Sequence, residues 1–297
     1  MDEKDFLARQ FESNRSHLRS VAYRMLGSLP EADDAVQEAW LRLSRSDVSA
    51  VENLGGWLTT VVARVCLDAL RSRKSRREEP LAFHVPDPAV DREGGGGDPA
   101  RQALLADSIG LALLVVLETL APAERLAFVL HDMFAVPFEE IGPIVGRTPT
   151  AARQLASRAR RRVQDAPATT DRDIPRQREI VNAFLAASRA GDFNALMSLL
   201  DPNVVLRADR GEGVGGSRQL QGAANVANSA LLFGKSAAPG RVERPAIVNG
   251  AAGVVTFVNG TPFSVTGLTY AGGKIVGMFI LADPARLAKL DLAFLDQ

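Results

Sequence analysis

One cysteine, three histidines, two tryptophans and two tyrosines in 297 residues leave little material for several kinds of chemistry. A lone Cys66 excludes an intrachain disulfide and a cysteine-rich metal site, which fits a reducing compartment. Its place in an apolar helical pattern marks it as core. No apolar run is long enough for a bilayer, the longest lying around Leu111 to Leu117. The start MDEKDF is acidic and lacks the cationic and apolar regions of a signal peptide. There is no fixed-period repeat, no phosphate-binding glycine loop and no nucleophilic triad, so neither a cofactor nor a metal is expected. Net charge is also missing, with 35 Lys+Arg against 35 Asp+Glu. Its distribution is uneven: residues 1–52 carry 7 cations and 10 acids, residues 53–80 carry 6 cations and 3 acids. An acidic surface therefore adjoins a basic one, and local potential rather than total charge governs attraction to DNA or to a basic protein partner.

What is present is best seen from Phe138 to Val163, FEEIGPIVGRTPTAARQLASRARRRV, which reads as a helix-turn-helix. Thr148 is a suitable N-cap and Pro149 suits the first helical position, where no amide donor is needed. Ala152, Leu155, Ala159 and Val163 recur at helical spacing and predict the buried stripe, which turns Thr150, Arg153, Gln154, Ser157, Arg158 and Arg161 outward. Guanidinium groups attract phosphates whatever the sequence, and Arg or Gln near the N-terminus of such a helix can pair with guanine or adenine edges. Pro143, inside the first helix of the pair, removes an amide donor and predicts a shifted helix start.

Along the chain, helices are predicted from Gln10 to Leu26, Glu31 to Ser44 and Gly55 or Trp57 to Arg73, making a first domain over residues 1–78. EPLAFHVPDPAVDREGGGGDP, within residues 79–99, trades periodicity for Pro, Gly and charge and reads as a flexible linker. Helices over Arg101 to Leu120, Ala123 to Met133, Glu139 to Val145 and Pro149 to Val163 predict a second helical domain, residues 100–165. A polar break over 166–175 follows. Residues 176–297 change texture: helices at Arg178 to Ala190 and Phe193 to Leu200 precede strand-like runs at Arg241 to Val248, Gly253 to Val258, Phe263 to Tyr270 and Ile275 to Leu281. Asn249-Gly250, Asn259-Gly260 and Ala271-Gly272-Gly273 punctuate them as hairpin turns. The expectation is a multidomain chain of two all-α domains and an α+β domain whose antiparallel meander wraps its helices.

The segments AYRMLGSLPEADDAVQEAWLRL (Ala22 to Leu43), GGWLTTVVARVCLDALRSRKSRREE (Gly55 to Glu79) and LAPAERLAFVLHDMFAVPFEEIGPIVGRTPTAARQLASRARRRV (Leu120 to Val163) together resemble bacterial extracytoplasmic-function sigma factors of the sigma-70 family. The resemblance implies a first domain that binds core RNA polymerase and the promoter −10 element, and a second that binds the −35 element. Asp33, Asp34, Gln37, Glu38, Trp40 and Arg42 match the segment that docks on the polymerase clamp helices. The acids near that helix start also suit its macrodipole on their own account. Asn53, Trp57, Arg64, Asp68 and Arg71 match positions that handle the parted −10 strand, with Arg73, Lys74, Arg76 and Arg77 as phosphate contacts. Trp57, followed by Leu58, Val61, Val62 and Val65, fits helix core better than a base platform. Thr148, Thr150, Arg153, Gln154, Ser157, Arg158 and Arg161 become the −35 readers.

Members of this family ordinarily stop soon after the arginine-rich helix. The extension here resembles a SnoaL-like domain of the NTF2-like superfamily, as in SigJ-type sigma factors. HVPDPAV (His84 to Val90), ADRGEGV (Ala208 to Val214) and ADPARL (Ala282 to Leu287) resemble motifs of that subgroup, the second least, since Arg210 and Glu212 interrupt its glycines. The extension is expected to dock on the sigma domains or their linker as a fused regulator, with Asp209, Asp283, Arg286 and Leu287 as contact residues and Asp283 to Leu295 as the contact segment. No catalytic residue is expected. The rival readings are a duplex operator binder without polymerase, and a SnoaL-like isomerase, cyclase or ligand sensor fused to a DNA-binding half. The second would draw on Asp201 or Asp209 with Arg207. The implied setting is the cytoplasm, with a free monomer, core polymerase and promoter DNA as partners, and no membrane.

Overall fold

The structure is a computed structural model that describes residues 3–46, 51–76, 85–91, 110–164, 171, 173–211, 216–235 and 239–295. Expectations for His84, Arg77, Glu212, Val214 and the start of the helix predicted from Arg101 lie outside the described residues. The chain divides into two compact units.

The first unit holds residues 1–80 and 116–166. Its leading helices are α1 (Glu3–Leu26), α2 (Leu29–Leu43) and α3 (Leu54–Arg76). Gly27 ends α1 with φ 72° and Pro30 stands in the first turn of α2, so the predicted turn between them is set by residues that stop one helix and start the next. Phe11, Leu18, Met25, Val36, Leu43, Leu58, Val62 and Leu67 are buried where the three helices meet, and Cys66 lies among them. Burial pushes the Cys66 thiol up to about 12. After α4 (Leu111–Thr119), of which residues 116–119 belong to this unit, come α5 (Pro122–Phe128), which opens into a π-type turn over Val129–Met133, then α6 (Phe138–Val145) and α7 (Pro149–Gln164). Leu117, Leu126, Leu130, Ile141, Ala152, Ala156 and Ala159 form their common core.

These two helical groups pack on each other within the unit. Arg125, on α5, is fully buried against α1, where its Nε donates to the carbonyl of Arg24 at 3.0 Å. Burial pulls its guanidinium down to about 10. The Arg24 guanidinium lies over Phe134 at 4.6 Å, and His17 meets the same ring edge-on at 5.1 Å.

The second unit holds residues 81–115 and 167–297. Its helices α8 (Ile174–Ala190), α9 (Phe193–Leu199) and α10 (Ala223–Lys235) cover one face of a sheet. The strands are β1 (Val90–Asp91), β2 (Leu200–Asp209), β3 (Arg218–Gln221), β4 (Arg241–Val248), β5 (Ala251–Val258), β6 (Thr261–Ala271) and β7 (Lys274–Leu281), ordered β1-β4-β5-β6-β7-β2-β3. Asp173 and Asp192 cap α8 and α9 by accepting from the Arg176 and Ala195 amides. Asn249 and Gly250, then Asn259 and Gly260, all take positive φ, as the type I′ turns of tight hairpins require. The predicted meander is therefore present as β4 to β7. Two strands depart from the prediction: β2 runs parallel to β7, and β3 pairs antiparallel with β2. On the opposite sheet face, Leu287, Leu292 and Leu295 pack with Val90, Val248, Val255, Phe257 and Leu281.

Candidate nucleic-acid interface

The helix-turn-helix is built as its sequence anticipates. Thr148 Oγ1 accepts from the Ala151 amide at 3.2 Å, capping α7. Gly146 turns the chain with φ 69°, and the Arg147 amide closes onto the carbonyl of Gly142 at 2.9 Å. A Cβ on Gly142 would stand 2.8 Å from the Arg147 carbonyl oxygen, so the turn needs glycine there. Pro143 sits exposed inside α6 without breaking it. One register detail is corrected: the fully buried stripe of α7 is Ala152, Ala156 and Ala159, while Leu155 and Val163 are half-buried. Small residues allow close approach of the two helices, and the period-3.6 wheel alone did not distinguish position 155 from 156.

Thr150, Arg153, Gln154, Arg158 and Arg161 are exposed and Ser157 is half-buried, so the outward face is the one expected. Its cations are not equivalent. Arg153 lies over the Phe138 ring at 5.1 Å, in the N-terminal half of α7. Arg158 Nε donates to Glu124 Oε1 at 2.9 Å and Arg162 Nη1 to Glu124 Oε2 at 3.2 Å. Arg160 pairs with Asp132 at 2.5 Å. Nothing in the sequence of α7 reveals these partners, which lie on α5 and the π-type turn.

On α3, Asn53 caps the helix through Oδ1, which accepts from the Gly56 amide at 3.0 Å. Arg64, Asp68 and Arg71 are exposed along one side, with Arg71 and Asp68 at 3.8 Å. Trp57 is half-buried. Arg73, expected as a phosphate contact, donates to the Leu26 carbonyl at 3.2 Å and pairs with Glu31, which ties α3 to the α1–α2 corner. Lys74 belongs to the same helix, its side chain outside the described residues. A cavity of about 330 Å³ separates the start of α3 from the turn after α5, with Asn53, His17 and Thr59 on one wall and Phe134, Ala135 and Glu140 on the other. Ala135 holds φ 55° there.

The α2 surface presents Asp33, Asp34, Gln37, Leu41 and Arg42 to solvent, with Val36, Ala39 and Leu43 beneath. Asp33 receives both Nε and Nη2 of Arg19, at 2.6 and 3.0 Å, and Arg42 reaches Glu38 at 2.9 Å. Trp40 leans on Phe11 with ring centroids 5.0 Å apart.

The chain matches the family Sigma-70 region 2 over residues 10–76 and the family Sigma-70, region 4 over residues 110–163. It is 39% identical over 286 residues to the ECF RNA polymerase sigma factor SigJ of Mycobacterium tuberculosis, covering 93% of this chain and 91% of that protein. The chain belongs to the extracytoplasmic-function sigma factors. It is also 35% identical to a probable ECF sigma factor, SigI, of the same species, over 98% of both chains. The crystal structure of Mycobacterium tuberculosis SigJ superposes with a TM-score of 0.75 at 36% identity, covering 95% of this chain and 98% of that one. These relatives are sigma factors rather than enzymes. No helix among the described residues is long and apolar enough to cross a membrane.

In this sigma factor the segment read as linker is partly built into the C-terminal α+β domain. Val90 and Asp91 pair with Val248 and Ile247 as an edge strand, and the Ala89 amide donates to Asn249 Oδ1 at 3.1 Å. Arg286 is the centre of the attachment. Its Nε donates to Asp87 Oδ1 at 2.8 Å, Nη1 to Asp209 Oδ2 at 2.7 Å and Nη2 to the Val85 carbonyl at 2.6 Å. The Val85 amide in turn donates to Asp209 Oδ2 at 3.2 Å. Asp283 caps the short helix α11 (Pro284–Leu287), which carries Arg286, and Leu287 is buried beside Val90.

The same geometry engages the carboxylates of the rival reading, Asp209 most fully. Asp209 accepts from Val85, Arg286, Gly211 and Ser217, so its lone pairs are engaged. Asp201, at the start of β2, accepts from the Asn203 amide at 2.8 Å, and Arg207 donates to Gln219 at 3.0 Å. Tyr270, deep on the helix-covered face, donates to the Ala252 carbonyl at 2.7 Å, and burial pushes its hydroxyl pKa up.

Proposed function

We propose that this protein binds core RNA polymerase in the cytoplasm and directs promoter-specific initiation, the α2 face docking on the enzyme, α3 handling the −10 strand and α7 reading −35 duplex. Charge layout supports the division: α2 offers acids and a glutamine, α3 offers Arg64 and Arg71, and α7 offers Arg153 and Arg161. The C-terminal domain then acts as a fused regulator that takes up linker length. The observation that carries this is the attachment of Val85 to Asp91 to the sheet edge and to Arg286, because residues held in a folded domain no longer contribute reach between the two promoter-binding regions.

Reconstitution with core polymerase on a genomic promoter library tests the first part, and truncation after Ala282 tests the second. The truncated chain lacks Arg286 and the Leu287, Leu292 and Leu295 cluster. Altered promoter-specific transcription is expected. Equal activity and equal core affinity would overturn the regulatory reading, and absence of promoter-directed initiation by the full chain would overturn both.

A further inference from the structure

Glu124 is a nearly buried carboxylate with a side chain only 10% exposed, yet both of its partners are half exposed, Arg158 at 54% and Arg162 at 55%. It projects from the first turn of α5, and each oxygen takes one arginine from the second half of α7. Arg158 and Arg162 stand one helical turn apart, so the two bonds grip the same side of α7 and fix both its rotation and its tilt. Ordinary surface ion pairs have two mobile ends, and ordering them offsets most of the gain. Here the carboxylate end is already immobilised by burial, which makes it an anchor for the longer side chains.

We propose that Glu124 is a positioning residue for promoter recognition, which holds Arg158 and Arg162 away from DNA phosphates and sets the angle at which Arg153, Gln154 and Arg161 meet the −35 duplex. The proposal rests on the −35 reading of α7. It divides the cations of the helix into two groups. Arg158, Arg160 and Arg162 are bound to acids of their own domain, whereas Arg161 makes no ion pair among the described residues and is left to meet phosphate. Arg153 projects from the N-terminal half, over Phe138. An arginine released from Glu124 would gain a phosphate contact that carries no sequence information, so the pairing favours discrimination over raw affinity.

The test uses holoenzyme reconstituted from the full chain and core polymerase, on a promoter selected by that holoenzyme and on the same fragment with its −35 element scrambled. Glu124→Gln keeps shape and removes charge. It should lower binding to the intact promoter about tenfold relative to the scrambled one, while steepening the dependence of log affinity on log salt by about 0.9 for each guanidinium that reaches a phosphate. The triple variant Glu124→Gln, Arg158→Gln, Arg162→Gln should return the salt slope to the wild-type value without restoring discrimination. A merely structural loss would weaken both fragments alike and leave the slope unchanged, and that result overturns the proposal. So does Glu124→Gln retaining full discrimination. Failure of the wild-type holoenzyme to discriminate the two fragments would instead overturn the −35 reading itself.

Discussion

Replacing Arg286 by alanine should detach the linker segment from the C-terminal domain while leaving that domain folded. The Asp87 and Asp209 side chains are 8% and 7% exposed, and Arg286 itself is 16% exposed, so the cluster is largely withdrawn from water. Removing one member of a buried ion pair costs about 3–5 kcal/mol, because the remaining charge is stranded. Asp209 keeps bonds from Val85, Gly211 and Ser217, which places the expected cost at the lower end, about 3 kcal/mol. Asp87 loses both bonds that Arg286 gives it and recovers hydration only if the segment leaves the sheet. With tenfold for each 1.4 kcal/mol, the detached population should rise on the order of a hundredfold. Native-state hydrogen exchange on the full chain reads this directly: the Val85 and Ala89 amides, both bonded to side chains of the domain, should exchange about a hundred times faster. Arg286→Lys should resemble alanine more than wild type, since one ammonium cannot serve Asp87, Asp209 and the Val85 carbonyl as a planar fork does. Exchange in residues 85–91 that rises less than about fivefold would refute the estimate and the role assigned to Arg286.

Arg161→Ala should weaken binding to intact and scrambled −35 fragments equally and flatten the salt slope by about 0.9, whereas Arg153→Ala should cost discrimination, both read by anisotropy with holoenzyme. Gly142→Ala places a Cβ 2.8 Å from the Arg147 carbonyl oxygen, so thermal unfolding should show a loss of about 1–3 kcal/mol together with a lost −35 footprint. The Cys66 thiol should resist iodoacetamide in the native protein at pH 8 and react at once in denaturant; its ionisation in the unfolded chain near 8.5, against about 12 in the fold, gives a stability contribution present below about pH 8.5 and lost as pH rises toward 12. Arg125→Met should leave thermal stability unchanged or raised, since Nη2 of Arg125 has no acceptor among the described residues and the guanidinium is fully buried.

Local chemistry in the sequence was enough to place most elements. Thr148-Pro149 marked the start of α7, and the Asn-Gly pairs marked two hairpins, because capping and positive-φ turns depend on adjacent residues. Long-range pairing left no such mark. β2 lies beside β7, with Val205 opposite Gly277, and a parallel contact needs no turn residue between its strands. Val85 to Asp91 read as flexible linker because two prolines and two aspartates erase periodicity. Its order comes from Arg286, 199 residues away from Asp87. Likewise the helical wheel turned Arg158 outward correctly, but the acid that occupies it stands 34 residues earlier. The motif resemblances brought Asp209, Asp283, Arg286 and Leu287 together on paper, and three of them do surround the linker segment: Asp209 and Arg286 by hydrogen bonds, Leu287 by packing on Val90. Asp283 serves instead to cap the helix that carries Arg286.

A net charge of zero is no obstacle to binding nucleic acid, and the ion pairs explain why. Glu124 and Asp132 engage arginines of α7 and Glu31 engages Arg73 of α3, so these acids fix the geometry of cationic helices, and the first two are little displayed. Glu124 and Arg125 show this most clearly, since neighbours on one short helix must face different directions. Glu124 turns to α7 and controls a reading face, while Arg125 turns to α1 and is spent on a backbone carbonyl. The acid sits under exposed arginines; the base is buried, with Nη2 lacking an acceptor among the described residues, and its bond to the Arg24 carbonyl fixes how the two helical groups dock. On the proposed function, the linker residues held by Arg286 set the reach between the two helical groups, while Arg125 sets how those groups pack, so reach and packing are separately adjustable.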